Sequence, residues 1–125
     1  MKYNIGNYVN GNYIVIGINR QNIKGRNAKD TQFFTYLIEN NNDVQHLKAA
    51  EVKPIPLTKN ELIKLGFRGA ENSNTLWLQN FSVIVYESGV QVNCGITGID
   101  YIKYVHQLQN IYYTNAGERE LTWKK

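Results

Sequence analysis

Apolar and polar positions alternate through much of the first half of the chain, which predicts strands. Residues 5–9 are short and apolar, and Asn10-Gly11 follows as the strongest two-residue hairpin signal, since both positions tolerate positive φ. Tyr13 to Ile18 continues as a β-branched run, with Ile14, Ile16 and Ile18 on one face and Tyr13 and Val15 on the other. Gly17 inside that run suggests a bulge or a close backbone approach. Residues 31–38 form a further β-rich run, closed by the polar stretch 39–43. Residues 51–56 are expected to be extended, because Pro54 and Pro56 each bias the preceding residue away from the helical region.

The period then changes. Thr58 and Glu61 have the spacing of a capping box, Leu62, Ile63 and Leu65 supply an apolar face, and Gly66 stands where a left-handed C-terminal cap is wanted. This predicts a two-turn helix over 58–66, with Leu57 placed to staple its start. Residues 75–79, 81–87 and 90–94 read as a three-stranded meander with apolar weight on both faces. Residues 99–115 read as the longest helix, with Asp100 as N-cap and Gly117 as C-terminal cap. Its core stripe would hold Tyr101, Tyr104, Val105, Leu108, Ile111 and Tyr112. Ile102, His106, Gln109 and Tyr113 fall on a boundary stripe, and Lys103, Gln107, Asn110 and Thr114 face water.

These elements predict one α+β domain over 1–125. It would hold a small curled β-sheet or SH3-like barrel in the first half, then the short helix, the meander and the long C-terminal helix. Subdomains over 1–57 and 58–125 are an option within it. A chain of 125 residues suits one domain. No apolar run reaches the ~18 residues of a spanning helix, and the opening residues have no apolar core of a signal peptide. The lone Cys94 forms no intrachain disulfide and reads as a small buried thiol in a strand, so a reducing cytoplasm is the expected compartment.

Charge sharpens the picture more than composition does. The 17 Asn, 13 Ile, 10 Lys and 9 Tyr all have AT-rich codons, so the bias reports a low-GC genome first. The net charge of +4 lies wholly in residues 1–60, with eight basic against four acidic residues; residues 61–125 hold six of each. Arg20, Lys24, Arg26 and Lys29 make a local anion-attracting patch, expected on a loop over 20–29.

Catalytic signatures are absent from the sequence. Two histidines and one cysteine have no zinc-site spacing, and no calcium loop, P-loop, dinucleotide fingerprint or Gly-x-Ser-x-Gly elbow occurs. A non-enzymatic role without cofactor or metal is therefore favoured. The candidate ligand site combines Arg20, Lys24 and Arg26 for phosphate, Trp77 or Tyr113 for stacking, and His106 and Asn110 for hydrogen bonds. Tyr86 is a further exposed-ring candidate.

Residues 53–58 continuing through 61–67, and residues 104–112 continuing to Gly117 and Glu118, together with the opening 5–9, resemble a group of small uncharacterised proteins of Bacteroidetes and their phages and prophages. The resemblance implies a phage or mobile-element setting and brings no assigned site residues. In that setting the leading expectation is a protein that binds a small phosphorylated or nucleotide ligand, in one version sequestering a host immune nucleotide signal. A nucleic-acid or protein-binding module, a virion or assembly component with homo-oligomeric contacts through its tyrosines and Trp123, and a small hydrolase are the rivals.

Overall fold

In a computed structural model of the protein, which describes residues 3–24, 30–94, 99–117 and 119–123, the alternating segments form two antiparallel four-stranded sheets. Within the strands, the side chains of 20–24, 30–33, 94, 99 and 100 lie outside that description. The chain divides into two compact units, Met1–Ile55 and Pro56–Lys125, and its class is mixed α+β.

The first unit is a curled meander of β1 (Tyr8–Val9), β2 (Tyr13–Lys24), β3 (Asp30–Glu39) and β4 (Val44–Lys48), in sequence order across the sheet. Asn10 and Gly11 take φ of 49° and 83°, as the first hairpin requires. The Asn10 side chain accepts a hydrogen bond from the Lys53 amide at 2.8 Å and so ties that turn to the end of the unit. A bulge falls between Val15 and Gly17: Val15 pairs with Ile38, and Gly17 with Leu37. One residue is thereby inserted, which places Ile14 and Ile18 on opposite faces and replaces the expected single isoleucine face. Val15 is fully buried and joins Tyr3, Val9, Tyr36, Ile38 and Val52 in the core of this unit.

The stretch 20–29 is not one loop. β2 runs to Lys24, and its pairing with β3 continues from Arg20 opposite Phe34 to Lys24 opposite Asp30. These pairs lie beyond the last pair of β3 with β4, Thr35 with Lys48. Ile23, Thr31 and Phe33 in these pairs have high β-propensity, which the local charge count does not register.

The second unit opens with α1 (Lys59–Lys64). Thr58 caps it by accepting from the Glu61 amide at 3.2 Å. At the other end Phe67 N–H donates to Leu62 C=O and Gly66 N–H to Ile63 C=O, each at 3.0 Å, with Gly66 at φ 100°. That is a Schellman ending, which needs a residue without Cβ at the left-handed position. The reciprocal half of the capping box is replaced. Glu61 turns its carboxylate to Lys64 at 3.3 Å and to the Trp123 indole N–H at 2.9 Å.

Four strands follow: β5 (Thr75–Leu78), β6 (Phe81–Tyr86), β7 (Gly89–Cys94) and β8 (Ile99–Ile102). Then comes α2 (Val105–Asn115), an 11-residue helix. The meander thus has four strands where three were expected, and the helix begins six residues later than the expected start at 99. Residues 99–102 pair with β7, with Ile102 opposite Val90 and Tyr101 opposite Gln91. Their apolar positions fit both periods, and a partner strand decides for the sheet. Asp100 is a strand residue, not an N-cap. Tyr104 holds that place, and the Gln107 side-chain Oε1 accepts from the amides of Lys103 and Tyr104 at 2.9 and 3.1 Å.

The inner sheet face carries Leu76, Phe81, Val83, Val90, Val92 and Ile102, all buried. α2 meets this face through Tyr112, whose ring lies 4.8 Å from that of Phe81. After the helix, Leu121 is buried and its carbonyl accepts from the Gln109 side chain at 3.1 Å. Trp123 → Phe removes the indole donor from Glu61. A half-exposed hydrogen bond to a charged group predicts a loss of about 1 kcal/mol, measurable as a lower urea midpoint followed by the remaining emission of Trp77.

Candidate functional site

The face of the second sheet opposite α2 is the candidate site. Alternation along the strands turns Leu76 inward and Trp77 outward, and the register carries that outward row across to Ser82 and Asn93. The next row holds Thr75, Ile84, Gln91 and Tyr101, and the row after it Tyr86 and Gly89. On the other side of Trp77, Arg68 exchanges both backbone hydrogen bonds with it at 2.9 and 2.7 Å, so Arg68 shares the outer face. Arg68 brings a formal positive charge to this face beside Trp77.

Three large rings stand open there. Trp77 is 58% exposed, Tyr101 56% and Tyr86 46%. The Tyr86 and Tyr101 rings stack 6.0 Å apart and 18° from parallel. Gly89 makes that pairing possible, because a Cβ on it would stand 2.9 Å from the Ile102 carbonyl oxygen and 3.3 Å from the Tyr101 ring. Gly89 → Ala is therefore expected to displace the Tyr101 ring, seen as loss of ring-to-ring contacts between Tyr86 and Tyr101 in nuclear Overhauser spectra. With strands about 4.8 Å apart and residues about 3.3 Å along them, Trp77 lies about 15 Å from the tyrosine pair. Gln91, Asn93 and Thr75 lie on the ground between the two stations.

The seven residues expected to form one site belong to several elements. Arg20 and Lys24 belong to β2 of the first unit, their side chains outside the described set, and Arg26 lies outside the described residues. Trp77 occupies the outer face of the second sheet. His106, Asn110 and Tyr113 belong to α2, which packs on the inner face, so Trp77 and Tyr113 do not make one stacking platform. Tyr113 is nonetheless exposed, at 45%.

His106 is not a boundary residue. It is 2% exposed, its ring stacks 5.9 Å from that of Tyr104, and burial pushes its pKa down to about 4. It is neutral at physiological pH and closed to a ligand. Gln109, also assigned to the boundary, is buried too. Tyr101, assigned to the helix core, instead stands on the open sheet face. Sequence reasoning passed over Tyr101 and Arg68. The alternation of 99–102 carries the signal for Tyr101; for Arg68 it lies in pairing with Trp77, which no local window contains.

The first unit carries a shallow depression of about 420 Å³ lined by Gly17, Ile18, Asn19, Thr35, Leu37 and His46. His46 Nε2 and the Thr35 hydroxyl are 3.1 Å apart within it. Among the described residues no carboxylate lines the depression, so none of them orients the histidine. Among the described residues no group of three His, Cys, Asp or Glu side chains could hold a metal ion, and no helix is long and apolar enough to cross a membrane. Comparisons with protein-family models, curated proteins and solved structures give no match to this chain.

Proposed function

We propose that this chain is a non-catalytic binding protein that holds a nucleotide-like ligand by stacking on the outer face of its second sheet. The observation that carries the reading is the exposure of Trp77, Tyr86 and Tyr101 together on one face. Bases stack on such rings at roughly 1–3 kcal/mol each, whatever their identity. Thr75, Gln91 and Asn93 offer donors and acceptors beside the rings, and Arg68 offers a guanidinium fork for phosphate next to Trp77. Arg68 takes the part first given to Arg20, Lys24 and Arg26. The resemblance to phage and prophage proteins adds host immune nucleotide signals to the ligands worth trying.

Fluorescence anisotropy of a labelled oligonucleotide, with nucleotides as competitors, tests the reading. Trp77 → Ala is expected to weaken binding about 5- to 150-fold, the equivalent of one stacked base. One phosphate contact predicts a shallow salt dependence, with a slope near −0.7 on logarithmic axes for a single strand. Absence of binding to any nucleotide or oligonucleotide would overturn the proposal.

A further inference from the structure

We infer that the outer face of the second sheet is built for a single-stranded oligonucleotide of about five nucleotides or more, and not for a mononucleotide. The inference deepens the function proposed above and rests on it. Its basis is the separation of the stacking stations. Trp77 stands in the first row of the face on an outer strand. The tyrosine pair stands one and two rows further on, with Tyr101 on the opposite outer strand. The gap of about 15 Å follows from strand spacing and rise alone.

A stacked strand advances about 3.4 Å per nucleotide, so one nucleotide engages one station and leaves the other bare. A four-stranded sheet can lay out rings for two or three bases of one strand, and this face has the area to do so. The ground between the stations is uncharged among the described residues and mixed in polarity: Ile84 lies there beside Gln91, Asn93 and Thr75, which can meet base edges. A cation, Arg68, flanks Trp77 at one end of the face. That arrangement suits one backbone phosphate at the Trp77 end and bases running towards Tyr101. It does not suit a duplex, which would need cations along both edges.

Oligothymidylates of one, two, four and eight nucleotides, competed against a labelled octamer, test the inference on the full chain, with cellohexaose as a second competitor. Affinity is expected to rise at least tenfold between one and eight nucleotides, because of the lengths used only the octamer spans both stations. Tyr101 → Ala should flatten the length dependence, and Tyr101 → Phe, which keeps the ring, should retain it. Equal affinity at every length would overturn the inference while leaving nucleotide binding in place. No competition at any length, or competition by cellohexaose alone, would overturn the nucleotide reading itself.

Discussion

Between pH 6.5 and pH 4 the second unit is expected to lose up to about 3 kcal/mol of stability through His106 alone. The unfolded histidine titrates near its ordinary value of 6.5, whereas burial in α2 lowers the folded value to about 4. Above pH 6.5 both states are neutral and the term is absent. As the pH falls through 6.5 the unfolded chain takes up a proton that the folded chain refuses, so unfolding is favoured progressively until pH 4, where the folded state also protonates. His106 → Gln, uncharged throughout, should remove this slope. Both tryptophans of the chain lie in the second unit, so tryptophan emission in urea follows that unit. The readout is the difference between wild type and variant, because carboxylates contribute to both. Parallel stability profiles for the two proteins would refute the assignment.

Phe67 → Ala is expected to cost about 3–5 kcal/mol, the range for emptying a buried aromatic site. Phe67 is 1% exposed, and it is also the residue whose amide closes the end of α1 onto Leu62. Two controls separate packing from backbone geometry. Phe67 → Leu keeps most of the volume and should cost less than about 1.5 kcal/mol. Gly66 → Ala keeps Phe67 but places a Cβ at φ 100°, at a cost of about 1–2 kcal/mol. The same urea titration ranks all three. A Phe67 → Ala protein as stable as Gly66 → Ala would mean that the site collapses around the lost ring.

The two elements read best from sequence are those whose chemistry is local. Thr58 and Gly66 mark both ends of α1 because a hydroxyl and a missing Cβ act within one turn of the residues they serve. Asn10 and Gly11 mark the first hairpin for the same reason. The reading weakened wherever a distant partner decided the outcome. Residues 99–102 carry a pattern compatible with helix, and β7 claims them as a strand. His106 falls on the boundary stripe by periodicity, yet it is buried in the fold with its ring against Tyr104. The basic stretch looked like a loop until the pairing of β2 with β3 extended through Arg20 and Lys24.

By itself the sequence determined an α+β chain of strands and two helices, the caps of α1, the first turn and the placement of the positive excess in the first half. Only the tertiary structure decided that Trp77, Tyr86 and Tyr101 share an open face, that Arg68 joins them and that His106 does not. Turns and caps are set by hydrogen bonds within a few residues of the chain. A sheet face is set by register between strands, and each register belongs to two segments at once.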